Sequence, residues 1–138
     1  MKGLELSQRY YEAYGREMIE RIDPALFARV SVGLCGEGSQ CFGFDDQISQ
    51  DHDFAPGFCV WLSEEDFSRY GRALRDAYDG LPNDFCGFSR KNVIAGERLG
   101  VMTSGGFYKR FTGNPEGPRS NLDWLMTPEA HLASATNG

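Results

Sequence analysis

Arg29-Val30-Ser31-Val32-Gly33-Leu34-Cys35 runs straight into Gly36-Glu37-Gly38-Ser39, and about a dozen residues later comes Asp51-His52-Asp53. In the first part Val30, Val32 and Leu34 alternate with Ser31, Gly33 and Cys35, the two-residue period of a β-strand. Large side chains on one face and small ones on the other predict a strand covered on both sides. Gly38 lets the backbone approach a ligand closely, and the Ser39 hydroxyl and neighbouring amides can donate to phosphate oxygens. Asp51 and Asp53 are two residues apart, so on a strand both side chains share one face. Two adjacent carboxylates repel unless a cation lies between them, and Mg²⁺ takes one or two carboxylates together with substrate phosphates. Paired aspartates can bridge two such ions roughly 3.5–4 Å apart. His52 would face the other way, as a hydrogen-bonded structural histidine.

Working outward, Asp51 to Leu62 reads as a second strand region, with Phe58, Val60 and Leu62 on one face and Cys59 and Trp61 on the other. Pro56-Gly57 interrupts it, which predicts a bulge or an edge position. Upstream, Leu6, Tyr10, Tyr14, Met18 and Ile22 recur every four residues, an amphipathic helix over about residues 4–22. Asp23-Pro24 then caps and opens a short helical turn through Phe27. Downstream, Ser63-Glu64-Glu65-Asp66 has the form of a capping box. It starts a helix that turns Phe67, Tyr70, Leu74 and Tyr78 inward and stops at Gly80-Leu81-Pro82. Residues 83–97 show no regular pattern, and Arg98 to Thr103 fits a third strand. Phe107 to Phe111 is too short to assign, and Gly113 to Ser120 is a turn-rich loop. Asn121 to Met126 is a short helical piece, and Thr127-Pro128-Glu129 opens a last helix. The expected fold class is α/β in the wider, α+β sense: a single domain over residues 1–138 with a short mixed β-sheet and helices on one face of it.

The chain has 138 residues, 41% of them hydrophobic and 13% aromatic, which fits a globular domain with its own core. Fourteen Lys and Arg against twenty Asp and Glu leave a net charge of -6. General nucleic-acid binding needs clustered cations and is not expected here. A small anionic ligand reached through metal ions is compatible with this balance. No apolar run approaches the ~20 residues of a membrane span, and Met1 to Glu5 lacks the apolar core of a signal peptide. Cys35, Cys41, Cys59 and Cys86 form no C-x-x-C pair, which suits thiols in a reducing compartment. A cytoplasmic location without a membrane partner is expected.

A strand, then Gly-Ser, then about a dozen residues, then Asp-x-Asp on the next strand resembles the DNA polymerase beta-like nucleotidyltransferase superfamily. The run GEGSQCFGFDDQISQDHDFAPGFCVWL (36–62) is similar to a bacterial domain of unknown function, numbered 4037, assigned to that superfamily. FYKRFTG (107–113) and DWLMTPEAHLASATNG (123–138) resemble the same group, so the likeness covers most of the chain. The resemblance implies a minimal nucleotidyltransferase fold and Mg²⁺-dependent transfer of a nucleotidyl group from a nucleoside triphosphate to an acceptor hydroxyl. Gly38 and Ser39 would then hold the nucleotide, and Asp51 and Asp53 would bind two Mg²⁺ ions. Active members place a third carboxylate on a neighbouring strand. Arg98 to Thr103 contains no acid, and Glu97 at its start is the candidate. Members also continue past the position of Asn137-Gly138, which implies a domain shortened at its C-terminus. Both departures leave an alternative, a catalytically inactive nucleotide-binding or interaction module of the same fold.

Asp45-Asp46 could add metal ligands but suits a solvated turn in a glycine-containing loop. His52-Asp53 spells the dipeptide of metal-dependent phosphohydrolases, yet only His131 remains to complete such a set. The cysteine spacing does not fit zinc, and nothing orients a thiol against His52 for nucleophilic catalysis. Arg90, Lys91, Lys109, Arg110 and Arg119 are cations that could reach a triphosphate, or simply solvated surface charges.

Overall fold

The computed structural model describes residues 2–35, 55–90 and 99–136. The four-residue stripe from Leu6 to Ile22 forms one continuous helical rod: α1 (Gly3–Tyr10), a π-helical turn (Tyr11–Gly15) and α2 (Arg16–Ile22). A step of four residues overshoots a 3.6-residue turn by about 40° each time. A uniform α-helix would therefore carry the stripe away from the core, and the wider π turn takes back part of the drift. Leu6, Tyr10, Met18 and Ile19 end up buried, with Tyr14 and Ile22 packed at the margin. Asp23 then accepts from the Ala25 amide at 2.9 Å and opens a 3₁₀ turn at Leu26–Ala28.

The described strands are β1 (Ser31–Gly33), β2 (Cys59–Leu62), β3 (Asp84–Phe85), β4 (Phe88–Ser89) and β5 (Gly100–Thr103). β1, β2 and β5 form a mixed sheet in that order, β1 antiparallel to β2 and β2 parallel to β5. This is a mixed α+β fold with a small mixed sheet, as the alternation and helix signals predict. Pro56-Gly57 makes neither a bulge nor an edge, because β2 is the middle strand and both residues precede its first paired residue, Cys59. There proline's missing N–H costs no ladder bond.

The two faces of the sheet pack differently. Val60, Leu62 and Val101 join Tyr10, Met18, Ile19 and the helix α3 (Glu64–Asp79), which contributes Leu74 and Tyr78. Ser63 accepts from the Asp66 amide at 3.2 Å at the start of α3, as its cap signal predicts. Trp61 and Met102 point the other way and pack with Phe107 and Phe111 of α4 (Ser104–Thr112) and Ala135 of α6 (Glu129–Thr136). Helices thus cover both faces rather than the one expected, since alternation gives the second face an indole and a thioether that also favour burial. β1, expected to be covered on both sides, is the outer strand among the described residues: Ser31 is exposed and Val32 only half-buried.

The irregular region contains an unexpected hairpin, β3–β4. Its turn residues Cys86 and Gly87 both have positive φ, 51° and 84°. That is the backbone of a two-residue type I′ connection, usually signalled by Asn-Gly rather than Cys-Gly. Phe85 anchors it edge-on against Tyr10 and Tyr14, with ring centroids 5.4 and 5.7 Å away. The short helix α5 (Asn121–Met126) lies where its pattern places it, between α4 and α6.

Candidate functional site

Gly38, Ser39, Asp51, Asp53 and Glu97, together with Asp45, Asp46, His52, Cys41 and Lys91, lie outside the described residues. The structure does describe the strand ends to which their segments attach. Gly33, the last residue of β1, pairs with Cys59, the first of β2. Cys59 also pairs with Gly100, the first residue of β5. Because β1 is antiparallel to the other two, the chain leaves the sheet from β1 at the same edge where it enters β2 and β5. Neighbouring strands stand about 4.8 Å apart. Three connections, one leading to Gly38-Ser39, one coming from Asp51-x-Asp53 and one coming from Glu97, therefore begin or end at adjacent positions.

The approach to β2 is held from three sides. Pro56 is fully buried, and the Ser7 hydroxyl on α1 donates to the Gly57 carbonyl at 2.5 Å. The Tyr78 hydroxyl near the end of α3 accepts from the Phe58 amide at 3.2 Å and donates to the Phe58 carbonyl at 3.0 Å. That carbonyl also accepts from the Gly100 amide at 2.9 Å, which ties the entrance of β5 to the entrance of β2. Gly57 fits because it has no Cβ: one built there would lie 2.6 Å from Leu99 Cδ1 and 3.0 Å from the Tyr78 hydroxyl. Burial pushes the pKa of the Tyr78 phenol from the ordinary 10.0 up to about 12, which extends its range as a donor into alkaline pH. Sequence reasoning read Tyr78 only as an inward-facing ring. Its partner is backbone twenty residues away in the chain, and no local pattern announces such a bond.

Several described charged groups are engaged in structure. Arg29 clamps Asp66 through its Nε and Nη2, at 3.0–3.3 Å. That hydrogen bonding holds the Asp66 carboxyl below its usual range. The Tyr70 hydroxyl donates to Asp23 at 2.6 Å and lowers that carboxyl in turn. Arg90, a candidate for reaching phosphate, stacks over Tyr78 at 4.8 Å and Tyr10 at 5.6 Å and donates to the Tyr78 carbonyl. It fastens the hairpin to the core. Lys109 and Arg110 lie in the last turn of α4, and Arg119 is ion-paired with Glu116.

Among the described residues no three His, Cys, Asp or Glu side chains are grouped to hold a metal ion, and no helix is long and apolar enough to cross a membrane. Comparison of the chain with protein-family models, curated proteins and solved structures finds no match.

Proposed function

We propose that this chain is a nucleotidyltransferase-like domain that moves a nucleotidyl group from a nucleoside triphosphate to an acceptor hydroxyl. One observation carries the reading. The segments bearing Gly38-Ser39 and Asp51-x-Asp53 attach to strand ends that pair directly, Gly33 with Cys59, and the segment bearing Glu97 attaches beside them at Gly100. Gly38 and Ser39 are the phosphate-binding turn, and Asp51 and Asp53 the metal-binding pair, with Glu97 as third carboxylate. Such a set offers only hard oxygen donors, which suits Mg²⁺; when bound, the metal supplies neutralisation of the triphosphate charge. In the transfer itself the acceptor oxygen bonds to the α-phosphorus. The bond from that phosphorus to the bridging oxygen breaks, and pyrophosphate leaves with the electron pair. Glu97 is the candidate to take the acceptor proton. The protein contributes chiefly positioning, and the fastening of Gly57 and Phe58 by Ser7 and Tyr78 serves that end.

The test is calorimetric titration of each nucleoside triphosphate with and without Mg²⁺, followed by transfer of labelled nucleotide to a panel of hydroxyl acceptors. Mg²⁺-dependent binding is expected, and it should disappear in Asp51→Asn and Asp53→Asn. Unchanged binding in Asp51→Asn would overturn the site assignment.

A second reading, a nucleotide-binding or interaction module without catalysis, is favoured by the composition of β5: Gly100-Val101-Met102-Thr103 carries no acid. Mg²⁺-dependent binding with no transfer to any acceptor would select it.

A further inference from the structure

We propose that α5 and the grooves on either side of it form the contact surface of a homodimer, two copies of this chain meeting about a two-fold axis that runs along α5. The starting point is that α5 buries none of its residues. Leu122 is 66% exposed, Trp124 53%, Leu125 82% and Met126 74%. A helix of this length does not persist by its own propensity, yet this one is held at both ends. Ser120 and Asp123 form a complete capping box, and the Thr127 hydroxyl donates to the Asp123 carbonyl at 2.7 Å. Its apolar side chains are thus presented by a pre-formed element.

Area indicates what covers them. Leu122, Leu125 and Met126 share one face of the helix, and Trp124 turns to its flank beside the exposed ring of Tyr108. Together they leave on the order of 500 Å² of apolar surface, within the ~300–600 Å² of the largest, often functional, patch on a monomer. An apolar groove of about 510 Å³ continues the patch past Trp124 to Pro118, Leu132 and Ala133. A stable pair of proteins buries about 800 Å² on each partner around an apolar centre, and this patch supplies more than half of that centre and rim.

Charge selects a second copy and the direction of the axis. The groove beside Trp124 carries Glu116 and Glu129. The groove on the Asp123–Met126 side, about 420 Å³, carries Lys109 and Arg110 against one acid, Asp123, whose carboxylate accepts from the Arg119 and Ser120 amides. Glu116 is ion-paired with Arg119, which leaves Glu129 as the main acid of its flank. A two-fold axis along α5 lays each copy's cationic flank on the other's acidic flank. An axis across α5 would set like charges against each other. The surface is therefore complementary to itself in one orientation.

Sedimentation velocity over a micromolar to submillimolar series of the full chain tests the assignment. A concentration-dependent dimer is expected. Leu125→Glu, at a position nothing in the described chain covers, should weaken it more than tenfold while leaving circular dichroism unchanged. Lys109→Glu and Glu129→Lys should each weaken it, and the two together should recover most of the loss. A wild-type chain that stays monomeric throughout, or a dimer untouched by Leu125→Glu, would overturn the surface. A charge-exchanged double variant no better than its parents would overturn the axis.

Discussion

Tyr78 places its hydroxyl between the amide and the carbonyl of Phe58, at 3.2 and 3.0 Å. Removing that oxygen takes the partner from the buried Phe58 amide, while the carbonyl keeps the Gly100 amide, and such a loss costs about 1–3 kcal/mol. Tyr78→Phe should therefore lower the denaturation midpoint by a corresponding amount without changing its slope. The pH dependence follows from the raised pKa. The folded phenol titrates at about 12 against an ordinary value of 10.0, so its contribution is full below pH 10 and is lost as pH rises through about 12. Denaturant titrations across that window should show a shallower alkaline decline in Tyr78→Phe than in the wild type. Some decline will remain, because burial also raises Tyr10. An identical decline in both proteins would show that the phenol is not buried as described.

At the scale of elements, the rod from Gly3 to Ile22 depends on its π turn, and the turn depends on Gly15. A Cβ at that position would lie 2.4 Å from the Tyr11 ring and 2.6 Å from the Phe58 ring. Two effects oppose each other in Gly15→Ala. Alanine gains about 1 kcal/mol in helix propensity, whereas overpacking typically costs about 1–3 kcal/mol. Both neighbours are rings held in the core cluster, so they cannot move aside cheaply and the steric term wins. Thermal denaturation should show a net loss of stability; a gain would mean that the turn relaxes to a regular α-helix at little cost. The rod itself is legible in the sequence because its side-chain repeat is local. The π turn is not, since it reconciles that repeat with the position of Phe58, forty-three residues after Gly15. Likewise the capping of α3 by Ser63 can be read from adjacent residues, but the Cys86-Gly87 turn carries no strong hairpin signature. What holds that hairpin in place is the fit of Phe85 and Arg90 against Tyr10.

For the whole molecule, two helical layers on one sheet give two cores of unequal size. The larger contains Tyr10, Phe58, Val60, Leu74 and Tyr78, the smaller chiefly Phe107, Phe111 and Ala135 with Trp61 and Met102 at its margin. Phe107 meets Trp61 and Phe111 edge-on at 5.3 and 5.1 Å. Phe→Ala changes in a core cost about 3–5 kcal/mol, and here the loss falls on the smaller layer. Hydrogen exchange of Phe107→Ala should show faster exchange in α4 and α6 while the amides of α3 and β2 keep most of their protection, as expected for a locally opening unit. Uniform acceleration throughout would show that the two layers unfold as one.

By itself the sequence determined the helices of the first layer, the alternation of β2, the capped start of α3, the last helix and the third strand. Each of these is written in side chains only a few residues apart. It also singled out Gly38, Ser39, Asp51 and Asp53 through residue type and spacing, and Glu97 through the resemblance to a family, and these lie outside the described residues. Only the tertiary structure decided that β1 runs antiparallel and β5 parallel to β2, so that Gly33, Cys59 and Gly100 stand side by side. It alone turned Trp61 and Met102 toward a second helical layer and set the Tyr78 hydroxyl on Phe58. Strand pairing and buried polar contacts join groups tens of residues apart. Their energy depends on which surfaces meet, and a local pattern does not record that.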